Sequence, residues 1–192
     1  MVAQAGLTLP VPSGGEPVPI AVRNNTTRTV THVTASGTVH DSTGKPVATG
    51  SDQGFHPALL EPGQFALGFI YLGVGTSVPS GSTLSVQATA TPSAGPNTYF
   101  ADLLVTEVND TGQQIVGTVK NPRDHAVTAP YSVDVFCVDS SGTLLNEFGG
   151  FADVSTDLAA GGTSPFTVSL YGSQCAQFLI GASGYDMTAA GN

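Results

Sequence analysis

The sequence predicts an all-β protein built as two tandem antiparallel β-sandwiches. The first observation is an internal repeat: Asn24 has a counterpart in Asn121, 97 positions later, and Asp41 has one in Asp139, 98 positions later. An offset that stays constant near the size of one small β-domain indicates a duplicated fold. The second is periodicity, because apolar and polar residues alternate in short runs and no helical pattern occurs. The third is that Gly, Pro, Asn and Asp bound these runs, as tight turns require.

The first half of the chain contains seven predicted strands. Their ranges are 7–11, 17–25, 30–40, 46–49, 53–60, 65–71 and 82–91. Two prolines restrict the first strand to a sheet edge, where a missing backbone N–H is tolerated. Residues 41–44 and the pair Pro62-Gly63 supply favoured turn residues ahead of the strands that follow. The sixth strand places its aromatic residues on one face.

The second half repeats this plan after a short linker. Its predicted strands are 100–108, 113–121, 127–138, 144–145, 148–158, 166–170 and 175–185. The stretch 91–97, which includes most of this linker, contains two prolines and a glycine, which predicts limited hinge freedom. We therefore expect a first domain at 1–92, a linker at 93–98 and a second domain at 99–192. About seven strands in roughly 95 residues is typical of an immunoglobulin-like sandwich, so we expect two such domains in tandem.

The charge of the chain excludes several classes of partner. The formal net charge is −9, and the five cations are scattered: Arg23, Arg28, Lys45, Lys120 and Arg123. Dispersed cations cannot form the basic surface that binds phosphate, so we expect no nucleic-acid partner and no attraction to anionic lipid. The longest apolar run, 67–74, is far shorter than the ~20 residues of a membrane helix, so we expect no membrane-spanning segment.

The composition favours a location outside the cytoplasm. Only 10% of residues are charged, against about 25% in ordinary globular proteins, and Thr, Ser and Gly supply the surface polarity instead. A bias of the source genome would give the same composition, and this alternative stays open. Residues 1–6 have neither the charged nor the apolar region of a signal peptide. We expect a mature fragment, without its signal peptide, of an extracellular or cell-envelope protein.

The chain has two cysteines, Cys137 and Cys175. An even number in a chain of extracellular composition predicts one disulfide. The repeat offset matches Cys137 with Val39, so we expect its side chain in the core, and a bridge to Cys175 would join the last strand to the third. In the chain-entropy model a closed loop of about 37 residues contributes roughly 3–4 kcal/mol. Two buried free thiols that act as small apolar side chains are the alternative.

The sequence lacks the patterns that catalytic and metal sites need. The four histidines have no metal-ligand spacing: His32, His40, His56 and His125. The densest acidic group lacks the spacing of a calcium loop, although a loose calcium site at a sandwich end stays open as an alternative: Asp134, Asp139, Asp153 and Asp157. No serine lies in a Gly-x-Ser-x-Gly motif. We therefore expect no enzymatic activity, no catalytic or metal-binding residue and no cofactor.

Several of these residues resemble a known family. Asn121 after the strand 117–120, Phe136-x-Val138-Asp139 before a Ser-Gly turn, and the Leu-x-Pro-Gly turn 60–63 before an aromatic strand resemble the FxLYD family. The similarity covers most of the chain, although His40 replaces an expected aromatic residue. Members are small bacterial β-sandwich domains of the cell envelope and exterior, mostly non-enzymatic, and the resemblance implies that location and architecture here.

Two classes of function follow from these observations. The first is a non-enzymatic tandem module for adhesion, surface presentation or assembly, with a protein partner or self-assembly through edge strands. Strand 7–11 could then pair with a neighbouring molecule and make the protein a filament subunit. The second is a module that binds carbohydrate or peptide through sandwich end loops such as 50–55 or 149–153.

Overall fold

The computed structural model describes residues 2–4, 17–73, 77–93, 100–142 and 144–188 of the chain. Over these residues the protein is all-β, as predicted. None of the described residues forms a helix long and apolar enough to cross a membrane. The chain divides into two compact units, Met1–Ser93 (unit 1) and Ala94–Asn192 (unit 2).

Unit 1 contains seven strands in its described part. They are β1 (Val2–Gln4), β2 (Val18–Asn24), β3 (Val30–His40), β4 (Pro46–His56), β5 (Leu59–Leu60), β6 (Phe65–Tyr71) and β7 (Thr83–Pro92). The antiparallel order is β1-β2-β6-β4-β3-β5, and β7 pairs with the other edge of β3. Strand β4 connects two layers, because Pro46 to Ser51 pair with β3 and Ser51 to His56 pair with β6.

Strand β4 corrects the prediction of two separate strands at 46–49 and 53–60. The strand continues through a bulge between Asp52 and Phe55, where Gly54 has a φ of 138°. At this point β4 leaves β3, and the carboxylate of Asp52 accepts hydrogen bonds from the backbone N–H groups of Ala35 (2.6 Å) and Gly54 (2.9 Å). The side chain thus satisfies a donor on β3 that the departing strand no longer pairs.

Unit 2 contains six strands among its described residues, one fewer than unit 1. They are β8 (Phe100–Asp110), β9 (Gln114–Lys120), β10 (Thr128–Val138), β11 (Leu144–Phe151), β12 (Thr163–Ser169) and β13 (Gln177–Tyr185). The order is β11-β10-β13-β8-β9-β12. Strand β8 is shared, because Phe100 to Leu103 pair with β13 and Leu104 to Asp110 pair with β9. The predicted strand 148–158 ends earlier, at Phe151, and Leu158 forms only an isolated bridge to Val127.

The sequence repeat is also a repeat of strand register. Val39 lies opposite Ala48 in unit 1, and Cys137 lies opposite Asn146 in unit 2, so both partners are displaced by 98 positions. A β-bulge follows Val39 on β3 and follows Cys137 on β10. Since a slip of one residue would turn every side chain to the opposite face, a shared register means that both units bury equivalent positions.

Each unit has its own apolar core. The cluster of unit 1 includes Ile20, Val22 and Val39, and that of unit 2 includes Tyr131, Val135 and Phe166. The cores account for the alternating sequence pattern, since inward side chains come from every second strand position. Two layers around one core make each unit sandwich-like.

The aromatic face of β6 is turned away from the core of unit 1. Ala66 and Ile70 belong to the core cluster, and Ile20 of β2 lies opposite Gly68 between them. A Cβ on Gly68 would come within 2.6 Å of the carbonyl oxygen of Gly54, so only glycine fits there. The intervening aromatic residues therefore lie on the other side of β6, where Phe65 is exposed but Phe69 is almost fully buried outside this core cluster.

A buried asparagine lies at the end of an equivalent strand in each unit. Asn24 and Asn121 are both fully buried. The Nδ2 group of Asn24 donates to the carbonyl oxygens of Arg28 (2.8 Å) and Leu60 (3.0 Å), and its Oδ1 accepts from the N–H of Thr26 (3.0 Å). The backbone of Asn24 also accepts from Gly63 N–H at 2.8 Å. One side chain thus joins β2, the turn after it and the segment before β6.

The second copy reproduces this network, with the near partners at the same offsets and the distant partner shifted by one position. The Nδ2 group of Asn121 donates to the carbonyl oxygens of His125 (2.8 Å), Leu158 (2.9 Å) and Ala159 (3.1 Å). Its Oδ1 accepts from the N–H of Arg123 at 2.9 Å. Every side-chain polar atom of the asparagine is therefore satisfied, which offsets the cost of burying an amide.

An aspartate closes the tight turn after the third strand in both units. Asp41 Oδ1 accepts from the N–H of Thr43 at 2.8 Å, and Asp139 Oδ1 accepts from the N–H of Ser141 at 2.8 Å. Gly44 then has a φ of 86° in unit 1, a backbone conformation that glycine adopts without strain. Both aspartates therefore form the tight turns that the sequence predicted.

A disulfide joins Cys137 to Cys175 in unit 2. Cys137 lies in β10 opposite Phe178 of β13, and Cys175 lies just before β13 begins. Their Cα atoms are 5.2 Å apart, a common spacing for bridged cysteines. The bond fastens the start of the last strand to the end of β10, and its sulfur atoms are buried in the core.

We expect Asn121→Ala to lower the free energy of unfolding of unit 2 by about 2–3 kcal/mol, because the carbonyl of His125 and the N–H of Arg123 lose their partner in a buried site. Chemical denaturation of the full chain, followed by circular dichroism, measures the change. Asn109→Ala is the matched control, since Asn109 is exposed on β8. Equal stabilities of the two variants would contradict the structural role of Asn121.

We expect Cys137→Val combined with Cys175→Ala to destabilise unit 2 by roughly 3–4 kcal/mol, through greater freedom of the unfolded chain. Valine is the natural choice because Val39 fills the equivalent core position of unit 1. Thermal unfolding with and without reductant checks this result. Reductant should destabilise the wild type and leave the double variant unchanged; an equal effect on both would show that the bond does not support the fold.

Candidate interaction surfaces

Strand β7 of unit 1 is long and contains no charged residue. In the part of the chain that the structure describes, β7 pairs with β3 and lies close to β1. Its outer side chains are exposed, and its inner side chains, Leu84 to Ala90, are only partly buried against the core. The repeat offset of 98 matches β8, which pairs with the equivalent strand β13, to residues 2–12, most of which lie outside the described residues.

The long edge strands of unit 2 carry features that oppose strand addition. Glu107 lies in the half of β8 that pairs with β9 only, Glu147 lies in β11, and Pro165 lies in β12. Charged residues and proline are common devices against edge-to-edge association.

Unit 2 exposes large apolar side chains on one sheet face. Val133, Val135 and Cys137 of β10 point into the core, so alternate positions of β11, β10 and β13 form an outer face. On this outer face Phe151 is 64% exposed and Leu179 is 53% exposed. Exposed apolar groups that share one face are typical of a protein-contact surface.

Two carboxylates lie together on the same outer face. Asp134 of β10 lies opposite Gly149 and Gly181, and Glu147 of β11 lies opposite Phe136 in the next row. Carboxylate oxygens of Asp134 and Glu147 approach within 4.8 Å. Burial of Glu147, and after it the negative charge of Asp134, raises the pKa of Glu147 to about 7. Glu147 therefore binds or releases a proton near neutral pH.

A charged cluster joins the end of β13 to the turn between β9 and β10. Asp186 Oδ2 accepts a hydrogen bond from Arg123 Nη1 at 2.9 Å and lies 2.9 Å from His125 Nε2. Burial would raise the pKa of Asp186, but hydrogen bonds from Thr188 and His125, with the charges of His125 and Arg123, outweigh it and bring the pKa to about 2. The hydrogen bond to Asp186, followed by the one to Asp124, raises the pKa of His125.

The structure does not bring together the four aspartates that suggested a calcium site. Asp134 lies in the middle of β10, whereas Asp139 closes the turn after that strand. Asp153 and Asp157 lie between β11 and β12, and the four form no common group of oxygen donors among the described residues. Glu147 lies next to Asp134, and the sequence did not indicate this contact. The alternation of β11 places Glu147 on the outer face, but its proximity to Asp134 depends on the register between β11 and β10.

The histidines lie at separate positions along the strands and turns. His32 has a φ of 49° at a bulge of β3, His40 ends β3, His56 ends β4 and His125 lies after β9. Beside His40, the carboxylate of Asp41 accepts hydrogen bonds from the backbone of its own turn, at Thr43 and Lys45. The contact of His125 with Asp186 was not predicted, because 61 positions separate the two residues.

Most residues of the two segments predicted as binding loops lie in strands. Residues 50–55 belong to β4, and residues 149–151 belong to β11. The predicted edge strand at 7–11 lies outside the described residues. Of the tyrosines, Tyr131 is buried in the core of unit 2, whereas Tyr171, in the turn before β13, is 82% exposed.

Comparison with protein-family models finds no match for the chain, and comparison with curated proteins finds none either. The resemblance to the FxLYD family therefore stays a prediction from the residues that suggested it.

We expect the stability of unit 2 to fall as the pH rises from about 5 to about 8. The pKa of Glu147 is raised from 4.5 to about 7, so its ionisation opposes folding over that interval. The raised pKa of His125 stabilises the fold fully below 6.5, its ordinary value, and this contribution is lost as the pH rises through the folded-state pKa. Calorimetry of the full chain across a pH series measures both contributions.

Two variants separate these contributions. Glu147→Gln should flatten the acidic part of the profile, and His125→Gln should flatten the part at and above neutral pH. His40→Gln, in unit 1, is the control and should leave the profile of unit 2 unchanged. A profile that keeps its full slope in both variants would contradict the assignment.

Proposed function

We propose that the protein is a non-enzymatic, extracytoplasmic module of two tandem immunoglobulin-like domains that serves adhesion, surface presentation or assembly. The observation that carries this proposal is the outer face of unit 2, where Phe151 is 64% exposed and Leu179 is 53% exposed. Large apolar side chains that share one exposed face are typical of a surface that contacts another protein.

The disulfide between Cys137 and Cys175 supports a location outside the cytoplasm, because disulfides are typical of oxidising compartments.

Carbohydrate or peptide binding is the second candidate function. The loops first expected to bind such a ligand lie in strands, so the residue that favours this candidate is Tyr171, whose ring is 82% exposed. Exposed aromatic rings provide stacking surfaces for sugars and peptides. Loss of a ligand in the variant Tyr171→Ala would support this function.

The proposed function predicts association of the purified full chain that increases with concentration. Light scattering from micromolar to millimolar protein measures the mass, and electron microscopy distinguishes filaments, layers and discrete oligomers. A glycan array on the same preparation tests the second candidate. Constant monomer mass together with glycan binding that requires Tyr171 would replace the assembly proposal with the ligand-binding one.

A further inference from the structure

We propose that Arg123, His125 and Asp186 form a pH-sensitive latch, which holds the end of β13 in acidic and neutral solution and releases it in alkaline solution while unit 2 stays folded. The inference goes beyond the proposed function and does not rest on it. It concerns how one strand end is held, whereas the proposed function concerns a surface that contacts a partner.

The latch is centred on a buried carboxylate just after the last strand. Strand β13 ends at Tyr185, and Asp186, the next residue, is 3% exposed. Its Oδ1 accepts hydrogen bonds from the backbone N–H of Thr188 at 3.1 Å and from the Thr188 hydroxyl at 2.6 Å. Its Oδ2 accepts from Arg123 Nη1 at 2.9 Å and lies 2.9 Å from His125 Nε2. The turn after β9 therefore holds the strand end through two side chains.

The buried Asn121 positions this turn. Its Oδ1 accepts from the backbone N–H of Arg123, and its Nδ2 donates to the carbonyl oxygen of His125. The backbone at both residues is thus fixed before their side chains reach Asp186. Geometry that is set by the fold in this way allows a single proton on His125 to change the contact without rearranging the turn.

Unit 1 has the same turn without the titratable group. Asn24 binds the backbone of Thr26 and Arg28 as Asn121 binds that of Arg123 and His125. Neither Thr nor Arg changes its charge near neutral pH. The histidine is therefore a feature that unit 2 adds to the repeated structure.

His125 lies between two carboxylates. Its Nδ1 is 2.8 Å from Asp124 Oδ1, and its Nε2 is 2.9 Å from Asp186 Oδ2. A protonated imidazole donates from both nitrogens, whereas a neutral one has a single N–H and presents a lone pair at the other nitrogen. Loss of the proton therefore removes the positive charge between the carboxylates and replaces one hydrogen bond by a repulsive contact.

The charges around His125 set the pH range of the latch. The hydrogen bond to Asp186, followed by the one to Asp124, raises the pKa of His125 from 6.5. The latch is thus complete below 6.5 and is lost as the pH rises through the raised folded-state pKa. Against the effect of burial, hydrogen bonds from Thr188 and His125 and the charges of His125 and Arg123 bring the pKa of Asp186 to about 2. Asp186 therefore stays ionised throughout this range.

The end of β13 can open without the rest of the strand. The disulfide at Cys175 fastens the start of β13. Near its end, a β-bulge separates the pair Ser132–Ser183 from the pair Thr128–Tyr185. Strand ends beyond such an irregularity open at a lower free energy than the core of a sheet.

Opening would uncover the ring of Tyr131. Gly184 packs so closely on this fully buried ring that a Cβ there would lie 2.7 Å from Cδ1. Burial and, less strongly, the charge of Asp157 raise the pKa of Tyr131 above its ordinary value of 10.0. Tyr131 thus stays protonated while His125 titrates, so the histidine alone drives the change.

Hydrogen exchange of the full chain, followed by mass spectrometry, tests the latch. Residues 184–188 are compared with residues 178–181 in the middle of β13, after correction for the intrinsic rate at each pH. Between about pH 6 and about pH 9 the protection of residues 184–188 should fall at least about tenfold, whereas residues 178–181 should keep theirs. Equal loss in both segments, or no loss at residues 184–188, would overturn the latch.

Two variants separate the charge of His125 from its place in the turn. His125→Arg installs the residue that unit 1 has at Arg28, and its charge persists in alkaline solution. Its protection at residues 184–188 should no longer fall with pH, whereas His125→Gln should show weak protection throughout. Circular dichroism checks that both are folded, and His40→Gln in unit 1 is the matched control. A pH-dependent loss in His125→Arg equal to that of the wild type would overturn the proposal.

Asp124→Asn provides a second measurement. The Asp124 side chain is 98% exposed, so its replacement leaves the packing unchanged but removes one of the two carboxylates that raise the pKa of His125. The pH midpoint of release should move to a lower value, together with the midpoint of the His125 ring in an NMR titration. Coincident midpoints in both proteins support the latch. A release midpoint that does not follow the His125 ring would contradict it.

Discussion

The structure of each unit depends on one buried asparagine. Asn24 and Asn121 donate to carbonyl groups of a turn and of a distant loop, and both are satisfied although no water reaches them. A buried amide costs several kcal/mol without partners, so the surrounding backbone has only one favourable arrangement. The strand pairs, the β-bulge and the aspartate turn follow this asparagine at nearly constant offsets in both units.

The two units share this asparagine network, but their last strands are held in place differently. In unit 2, β8 covers the edge of β13 and a disulfide fastens β13 to β10. In unit 1, Val39 occupies the place of Cys137. The last strand of unit 2 is therefore fixed covalently, whereas the equivalent strand of unit 1, β7, is held by its hydrogen bonds to β3 and by packing against the core.

Much of the fold could be predicted because its signals are local. The alternation that defines β3, the turn at Asp41 and the offset that matches Val39 with Cys137 can all be observed in short stretches of sequence. Features that depend on a partner strand could not be predicted. Both faces of β6 are apolar, so only the close approach of Gly68 to Gly54 decides which one faces inward. The raised pKa of Glu147 requires Asp134 on the next strand, and nothing within β7 itself shows whether its edge is covered.

The bond between Cys137 and Cys175 also determines how the chain responds to mechanical load. The bond closes a loop of 38 positions. When unit 2 unfolds under tension this loop stays closed, so about 130 Å of fully extended chain is not released. Unit 1 has no cysteine and releases its whole length. In a surface protein held between two attachment points, unit 1 would act as the extensible segment, and unit 2 would act as a tether of limited length.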